Sequence, residues 1–357
     1  MKKLNLAIIG QGRSGKDIHG AYYISERNEY FNVKYVVDAD EFRREVSKKR
    51  YEGCITLADY RELFNYKDID LVVNASFSQD HFNIAKDLLE HGYNVLTEKP
   101  FAKTQYECET LIQTAKKSGA LLAVFHNTQP APYYVHACNT IASGRLGDVK
   151  QISIRFNGFA RRWDWQTLQK KIAGGVYNTG PHPIGMALGF LGFDKNTKVV
   201  FSKLDTALTS GDSDDYAKII LTAPGKPVVD VEISSIDAYS DYLLKIQGSK
   251  GTMKSTAAAY KCKYVVDGEN VERPVIEEFL KDENGNPMYC SEKLIAHEEE
   301  GTFDGTAFDV GTAEIYKQVY FAITENKPLN VTPEDATMVI SVIEQVHAQN
   351  PLPVKFI

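Results

Sequence analysis

The stretch Leu4-Asn5-Leu6-Ala7-Ile8-Ile9-Gly10-Gln11-Gly12-Arg13-Ser14-Gly15 is a short apolar run that breaks into glycine. Residues Lys16–Ser25 follow with helical period, so the order reads strand, tight turn, helix. G-x-G-x-x-G at that junction is a dinucleotide fingerprint. Its first glycine makes the turn, its second lets backbone approach a pyrophosphate, and its third allows close packing of the helix on the strand. The phosphates would sit on unpaired N–H groups at the helix start. Gly10, Gln11, Gly12, Arg13, Ser14 and Gly15 are therefore candidate cofactor contacts. The same residues fit a P-loop as far as Gly15-Lys16, but Asp17 stands where a hydroxyl should hold Mg²⁺, which disfavours a nucleoside triphosphate.

Outward from this loop, Val33–Val37, Leu71–Asn74, Asn94–Leu96 and Leu121–Phe125 read as further strands, each short, apolar and bounded by polar or turn residues. Helical segments lie between them at Glu41–Lys49, Asp80–Glu90 and Gln105–Lys117, the last opened by a capping-box spacing from Thr104 to Glu107. Continuous apolar strands separated by helices predict a parallel sheet covered on both faces, so residues 1–125 are expected to form a doubly wound, Rossmann-type domain. Asp38 follows the second strand at the ~20-residue spacing of a carboxylate that grips the adenosine ribose. It favours NAD, while Arg43 and Arg44 leave NADP open.

Beyond Phe125 the rhythm changes. Asp148–Phe156, Tyr216–Leu221, Val228–Ile236, Tyr242–Gln247 and Lys263–Val266 are strand-like and joined mainly by turns, which predicts a largely antiparallel sheet in residues 126–357. Helices are expected at Pro183–Leu191, Phe308–Thr324 and Pro333–His347, the last with Thr332 as cap and acidic residues in its first turn. Segment 277–300 is charged and turn-rich and reads as a loop.

The chain has 357 residues, a net charge of −6 and 43% hydrophobic residues, which suits a globular protein of more than one core. Acidic and basic residues are interspersed, leaving no basic face for nucleic acid. No stretch approaches the ~20 apolar residues of a membrane span. Five scattered cysteines with no C-x-x-C pair suit a reducing cytoplasm rather than a disulfide framework. The histidines show no helical ligand pair and no thiolate partners, so no metal site is expected.

Two further clusters bear chemistry. Glu98-Lys99-Pro100 follows a strand at the carboxyl edge of the sheet, where open α/β domains bind ligands, and Pro100 invites a cis bond. A lysine beside a cationic nicotinamide would have its pKa lowered and could handle a hydroxyl proton. Gly174-Gly175-Val176-Tyr177-Asn178-Thr179-Gly180-Pro181-His182-Pro183 places Asn178 and His182 one helical turn apart. Taken alone, Lys99 also reads as a surface lysine and His182 as a structural histidine.

In their order, GQGRSG, Asp38, EKPFAKT, GGVYNTGPHPIG and Ile246–Thr252 resemble the Gfo/Idh/MocA family of glucose-fructose oxidoreductases and inositol dehydrogenases, over essentially the whole chain. The resemblance implies a Rossmann domain, a C-terminal α/β domain with an open, mainly antiparallel sheet, and a cleft between them. It implies hydride transfer between a nicotinamide cofactor and a sugar, inositol or related polyol, in a homodimer or homotetramer. Carried over by position, it assigns Gly10, Gly12, Gly15, Asp38, Ser76, His81, Glu98 and Lys99 to the cofactor. Lys99, Asn178 and His182 fall on the catalytic positions, and Asn127, Arg161, Arg162 and Trp163 on the substrate side. Asn178 stands where many family dehydrogenases carry aspartate; it can orient a ring without offsetting charge. That departure keeps two alternatives open: a non-catalytic dinucleotide-binding regulator and an NAD-assisted glycosidase.

Overall fold

The computed structural model describes residues 2–356. The first strand, β1 (Leu4–Ile9), runs into the glycine turn and a π-helical segment, Arg13–His19, which continues as α1 (Gly20–Tyr23). Then come β2 (Phe31–Val37), α2 (Glu41–Arg50), β3 (Ile55–Leu57), β4 (Leu71–Asn74), α3 (His81–Glu90), β5 (Val95–Thr97), α4 (Gln105–Ser118) and β6 (Leu122–Val124). The six strands are parallel in the order β3-β2-β1-β4-β5-β6. The order reverses between β1 and β4, which opens a crevice at the carboxyl ends of the strands. The expected capping box of α4 is formed: the Thr104 hydroxyl accepts the Glu107 N–H at 3.2 Å, and Glu107 accepts the Thr104 N–H.

The second half comprises α5 (Pro132–Ala142), β7 (Val149–Asn157), α6 (Gly175–Asn178), α7 (Pro181–Phe190), β8 (Lys198–Asp205), β9 (Tyr216–Thr222), β10 (Val228–Ser234), β11 (Leu244–Gly248), β12 (Gly251–Ser255), β13 (Ala259–Tyr264) and β14 (His297–Thr302). Its eight strands form one sheet, β14-β13-β12-β11-β7-β10-β9-β8, antiparallel except where β7 meets β10. Alternation along the strands sends Ile152, Ile154, Ile219, Val231 and Ile246 inward, buried with Ile184 and Met186 of α7. The outer face is polar, with Arg155 on Asp230 at 2.6 Å. This is the open, mainly antiparallel sheet expected. The loop expected over 277–300 ends earlier, because β14 pairs with β13 through charge: Lys261 meets Glu300 and Lys263 meets Glu298, with no apolar alternation to mark the strand.

Two helices close the chain, α8 (Thr312–Glu325) and α9 (Pro333–Gln349), the latter capped by Thr332 as its sequence predicts. Alternate residues of β1 face opposite ways. Leu6 and Ile8 pack in one cluster with Ile315, Tyr316 and Val319 of α8, while Ala7 and Ile9 join the cluster that holds α9. The C-terminal segment thus supplies part of the cover of the N-terminal sheet. Each such aliphatic side chain withdrawn from water contributes about 1.5–3 kcal/mol, which ties the two halves together beside the crevice.

Candidate functional site

The glycine loop has the geometry its sequence implies. Gly10 has φ +88°, and a Cβ there would lie 2.4 Å from the Ala75 carbonyl oxygen. A Cβ on Gly15 would lie 1.9 Å from the Gly10 carbonyl oxygen, so both positions exclude any side chain. Gly12 is different: nothing lies within 4 Å of where its Cβ would be, so the loop leaves space where a pyrophosphate must approach. Beside it a cavity of about 310 Å³ runs from Gln11, Gly12 and Arg13 to Arg43, Ser47 and Arg50, with Lys16 at its edge. Open space over the loop and cations around it fit a dinucleotide's phosphates and ribose. The Asp38 carboxylate is partly engaged already: it accepts the Gln11 N–H at 2.7 Å and the Asp40 N–H at 2.9 Å, and Arg43 lies 3.6 Å away. It therefore braces the loop beside the cavity wall that Gln11 and Arg43 form.

Glu98 is 4% exposed and forms the hub beneath the loop. The Ser14 hydroxyl donates to Glu98 Oε1, the His19 ring meets the same oxygen at 3.1 Å, and the Lys99 backbone N–H donates to Oε2 at 3.0 Å. Burial alone would raise this carboxyl, but the hydrogen bonds from His19 and Ser14 and the charge of Lys99 outweigh it and hold it well below the usual carboxylate range. An ionised carboxylate only accepts, so His19 Nε2–H is the donor. Its Nδ1 then accepts from the Tyr316 hydroxyl at 2.8 Å, and that oxygen accepts from Tyr23. Neither His19 nor Tyr316 was evident from sequence, since the partners stand nearly the whole chain apart.

Lys99 follows β5, and its bond to Pro100 is cis. Its ammonium donates to the main-chain carbonyl of Asn178, at the end of α6, over 2.7 Å. Burial lowers its pKa; Glu98 opposes the shift, and Arg13 and Arg162 add to it. His182, in the first turn of α7, has Nδ1 at 3.3 Å from the Thr128 hydroxyl, and its ring lies parallel to Phe156 with centroids 6.3 Å apart. Burial, then Lys99 and His126, push it well below the ordinary imidazole value, so it is neutral at physiological pH. His126 itself, 2% exposed, is lowered by burial to about 4. The Asn178 amide oxygen accepts from Gln166 at 3.0 Å. Lys99, Asn178 and His182 are thus brought together from opposite halves of the chain, with Thr128 and Gln166 as supports that carried no signal in the sequence.

The remaining expected residues are distributed less evenly. Ser76 donates its hydroxyl to Asn74 at 2.7 Å at the crevice edge. His81 is buried, with Nδ1 2.7 Å from the Pro100 carbonyl and Nε2 3.2 Å from that of Ser76, so it holds the two loops together. Asn127 is 2% exposed and gives its amide to the Ala307 carbonyl at 3.0 Å. Arg161, Arg162 and Trp163 lie on the segment between β7 and Trp165, and Trp165 meets Phe77 of the N-terminal half edge to face at 5.0 Å. No group of three or more His, Cys, Asp or Glu side chains suited to a metal occurs among the described residues, all five cysteines are free, and no described helix is long and apolar enough to cross a membrane.

Comparison with known proteins agrees with this geometry. Residues 4–126 match the model of an oxidoreductase family with an NAD-binding Rossmann fold, and residues 134–254 match the GFO/IDH/MocA C-terminal domain. The chain is 26% identical over 194 residues to the scyllo-inositol 2-dehydrogenase (NADP(+)) IolW of Bacillus subtilis, covering 54% of this chain and 53% of that one. It is 26% identical over 216 residues to an inositol 2-dehydrogenase of Salmonella typhimurium, covering 58% and 62%. The matches thus span between about half and two thirds of these relatives. The crystal structure of GenD2 from gentamicin A biosynthesis, in complex with NAD, superimposes with a TM-score of 0.76 over 98% of this chain and 94% of that one, at 21% identity, a likeness of fold. With the glycine loop, the paired sheets and both domain models in agreement, the chain belongs to the GFO/IDH/MocA family of NAD-binding oxidoreductases.

Proposed function

We propose that the protein is an NAD-dependent dehydrogenase that interconverts a hydroxyl and a keto group on a sugar, inositol or related polyol. The observation that carries this is the meeting of Lys99, from the coenzyme half, with the Asn178 carbonyl at 2.7 Å beside His182. When bound, NAD supplies the hydride acceptor for the carbon-bound hydrogen. The chain's own groups handle the proton. With Nδ1–H donating to Thr128, the neutral His182 ring presents Nε2 as a base, and the Lys99 ammonium hydrogen-bonds the substrate oxygen and favours its alkoxide. Asn178 holds Lys99 through its main chain, so the relay works without a carboxylate at that position.

The glycine loop, Asp38, Ser14 and Ser76 serve the coenzyme, and Glu98 links them to Lys99. Arg161, Arg162 and Trp163 serve the substrate. The open sheet face is offered for self-association, as a homodimer or homotetramer, and the free cysteines suit the cytoplasm. A panel of hexoses and inositols with NAD⁺, followed at 340 nm, tests the reading. NADH formation that His182→Ala abolishes supports it, and silence across the panel refutes it.

A further inference from the structure

The acceptor that holds the Lys99 ammonium is the main-chain carbonyl of Asn178, so its place is set by whatever holds the α6 turn rather than by the Asn178 side chain. Ahead of it the turn is pinned by Asp214, whose carboxylate accepts the Val176 N–H at 2.7 Å and whose carbonyl accepts the Gly175 N–H at 2.7 Å. Those bonds, like that of Gln166 to the Asn178 amide, lie within the C-terminal half. Tyr177 carries the turn across to the other half. Its hydroxyl donates to the Lys103 carbonyl at 2.9 Å, and its ring lies nearly parallel to that of His347 on α9, with centroids 5.0 Å apart. The anchor is firm: Phe101 and Ala102 are buried, the Lys103 N–H donates to Glu107 at 2.8 Å, and the Gln105 N–H donates to Glu344 of α9 at 2.6 Å. Two bonds thus run in opposite senses between the same two segments, the Lys99 side chain to the Asn178 backbone and the Tyr177 side chain to the Lys103 backbone. The turn cannot slide or twist against the Lys99–Lys103 segment without breaking one of them. Burial raises the Tyr177 phenol, and Glu344, Glu107, Asp214 and Cys108 add to the rise, so the hydroxyl stays a neutral donor.

We propose that Tyr177 is a positioning residue for the reaction: by clasping Lys103 it fixes the Asn178 carbonyl and, through that carbonyl, the Lys99 ammonium. A misplaced catalytic group loses rate even when every reacting side chain is still present. The consequence for turnover rests on the dehydrogenase reading, but the clasp itself can be read without substrate. Tyr177→Phe keeps the ring and its stacking on His347 and removes only the donor, so the fold is retained, and the charges facing the Lys99 amine, Glu98, Arg13 and Arg162, are unchanged. Tyr93→Phe is the control. That hydroxyl also donates to carbonyls, of Leu63 at 2.9 Å and Tyr66 at 2.8 Å, but it lies ahead of β5, whereas Lys99 follows that strand.

Brief acetylation of the intact chain with acetic anhydride at fixed, mildly alkaline pH, read lysine by lysine by peptide mass spectrometry, reports how well the Lys99 amine is held. Lys99 is expected to react about two- to tenfold faster in Tyr177→Phe than in the wild type, the factor that one neutral hydrogen bond carries, with the other lysines unchanged. Tyr93→Phe should label Lys99 at the wild-type rate. In turnover with NAD⁺, kcat for Tyr177→Phe should fall by a similar factor while KM for NAD⁺ and NADH affinity stay within about twofold. An unchanged Lys99 rate, an equal rise in Tyr93→Phe, or an unchanged kcat overturns the inference. The two readings fail separately. Selective labelling of Lys99 with no oxidation of any sugar or polyol by the wild type keeps the clasp and removes the dehydrogenase, whereas oxidation at equal kcat by both proteins keeps the dehydrogenase and removes the positioning role.

Discussion

Replacing Lys99 with methionine removes the ammonium and little else. The stem keeps its length, and the backbone N–H that donates to Glu98 at 3.0 Å is unchanged, so the hub under the coenzyme loop stays intact. What disappears is the donor now 2.7 Å from the Asn178 carbonyl, the group expected to stabilise the substrate alkoxide. Losing such a positioned group costs roughly 10²–10⁴ in turnover, or about 3–5 kcal/mol of transition-state stabilisation. The pH profile identifies the group. His182 lies well below its ordinary value of 6.5, so kcat/KM for oxidation should show no acid limb near 6.5. Lys99 lies below its ordinary 10.5, so activity should fall on an alkaline limb below that value as the ammonium loses its proton. Lys99→Met should lower kcat, abolish the alkaline limb and leave NADH affinity within about twofold. Steady-state kinetics across pH with fluorescence titration of NADH checks all three. Undiminished turnover, or an alkaline limb that persists, refutes the role.

Tyr316→Phe leaves His19 Nδ1 and the Tyr23 hydroxyl without their partner in a dry site; about 1–3 kcal/mol of stability and a several-fold rise in KM for NAD⁺ are expected with kcat nearly kept, whereas a fall in kcat alone would contradict the positioning role. Asp214 is 2% exposed and accepts the Val176 N–H at 2.7 Å, and burial lifts its carboxyl to about 7. Because the folded value lies above the ordinary 3.8, its stabilising contribution is complete below about pH 4 and is lost as pH rises through 7. Urea unfolding should therefore show the wild type losing up to about 4 kcal/mol over that window and Asp214→Asn losing much less, and equal slopes would exclude Asp214 as the source. Asp38→Ser releases Arg43, 3.6 Å away, into a cavity already lined by Arg13, Lys16 and Arg50, so the NADP⁺ to NAD⁺ affinity ratio should rise roughly tenfold or more. An unchanged ratio would mean that the carboxylate only braces the loop.

Local rules carried much of the fold. Strand, glycine turn and helix are written consecutively at Leu4–Gly15, and the caps at Thr104 and Thr332 appear as their spacings predict. What escaped was either short, masked by composition or distant in sequence. β3 is three residues long, and α5 runs through Tyr133, Tyr134 and Val135, which favour strands. β14 carries charge rather than apolar alternation. At the site, the glycines, Lys99 and His182 stand in recognisable motifs, because backbone approach and proton transfer each demand a particular residue type. Thr128, Gln166 and Tyr316 act through tertiary hydrogen bonds, and a threonine, a glutamine or a helix tyrosine has no local pattern that sets it apart. Asp38 was legible in position but not in its second task, since only the folded loop brings the Gln11 N–H to it.

The central claim is that a dinucleotide lies over the glycine loop, and Gly12 tests it most directly. A valine there meets no protein atom within 4 Å of its Cβ and keeps an ordinary extended backbone with φ −71°, so the fold and its melting temperature should be retained. Its methyl groups would occupy the space reserved for the pyrophosphate. NADH fluorescence titration should show saturable binding to the wild type and none to Gly12→Val; equal binding by the two proteins, or none by the wild type, would contradict the account.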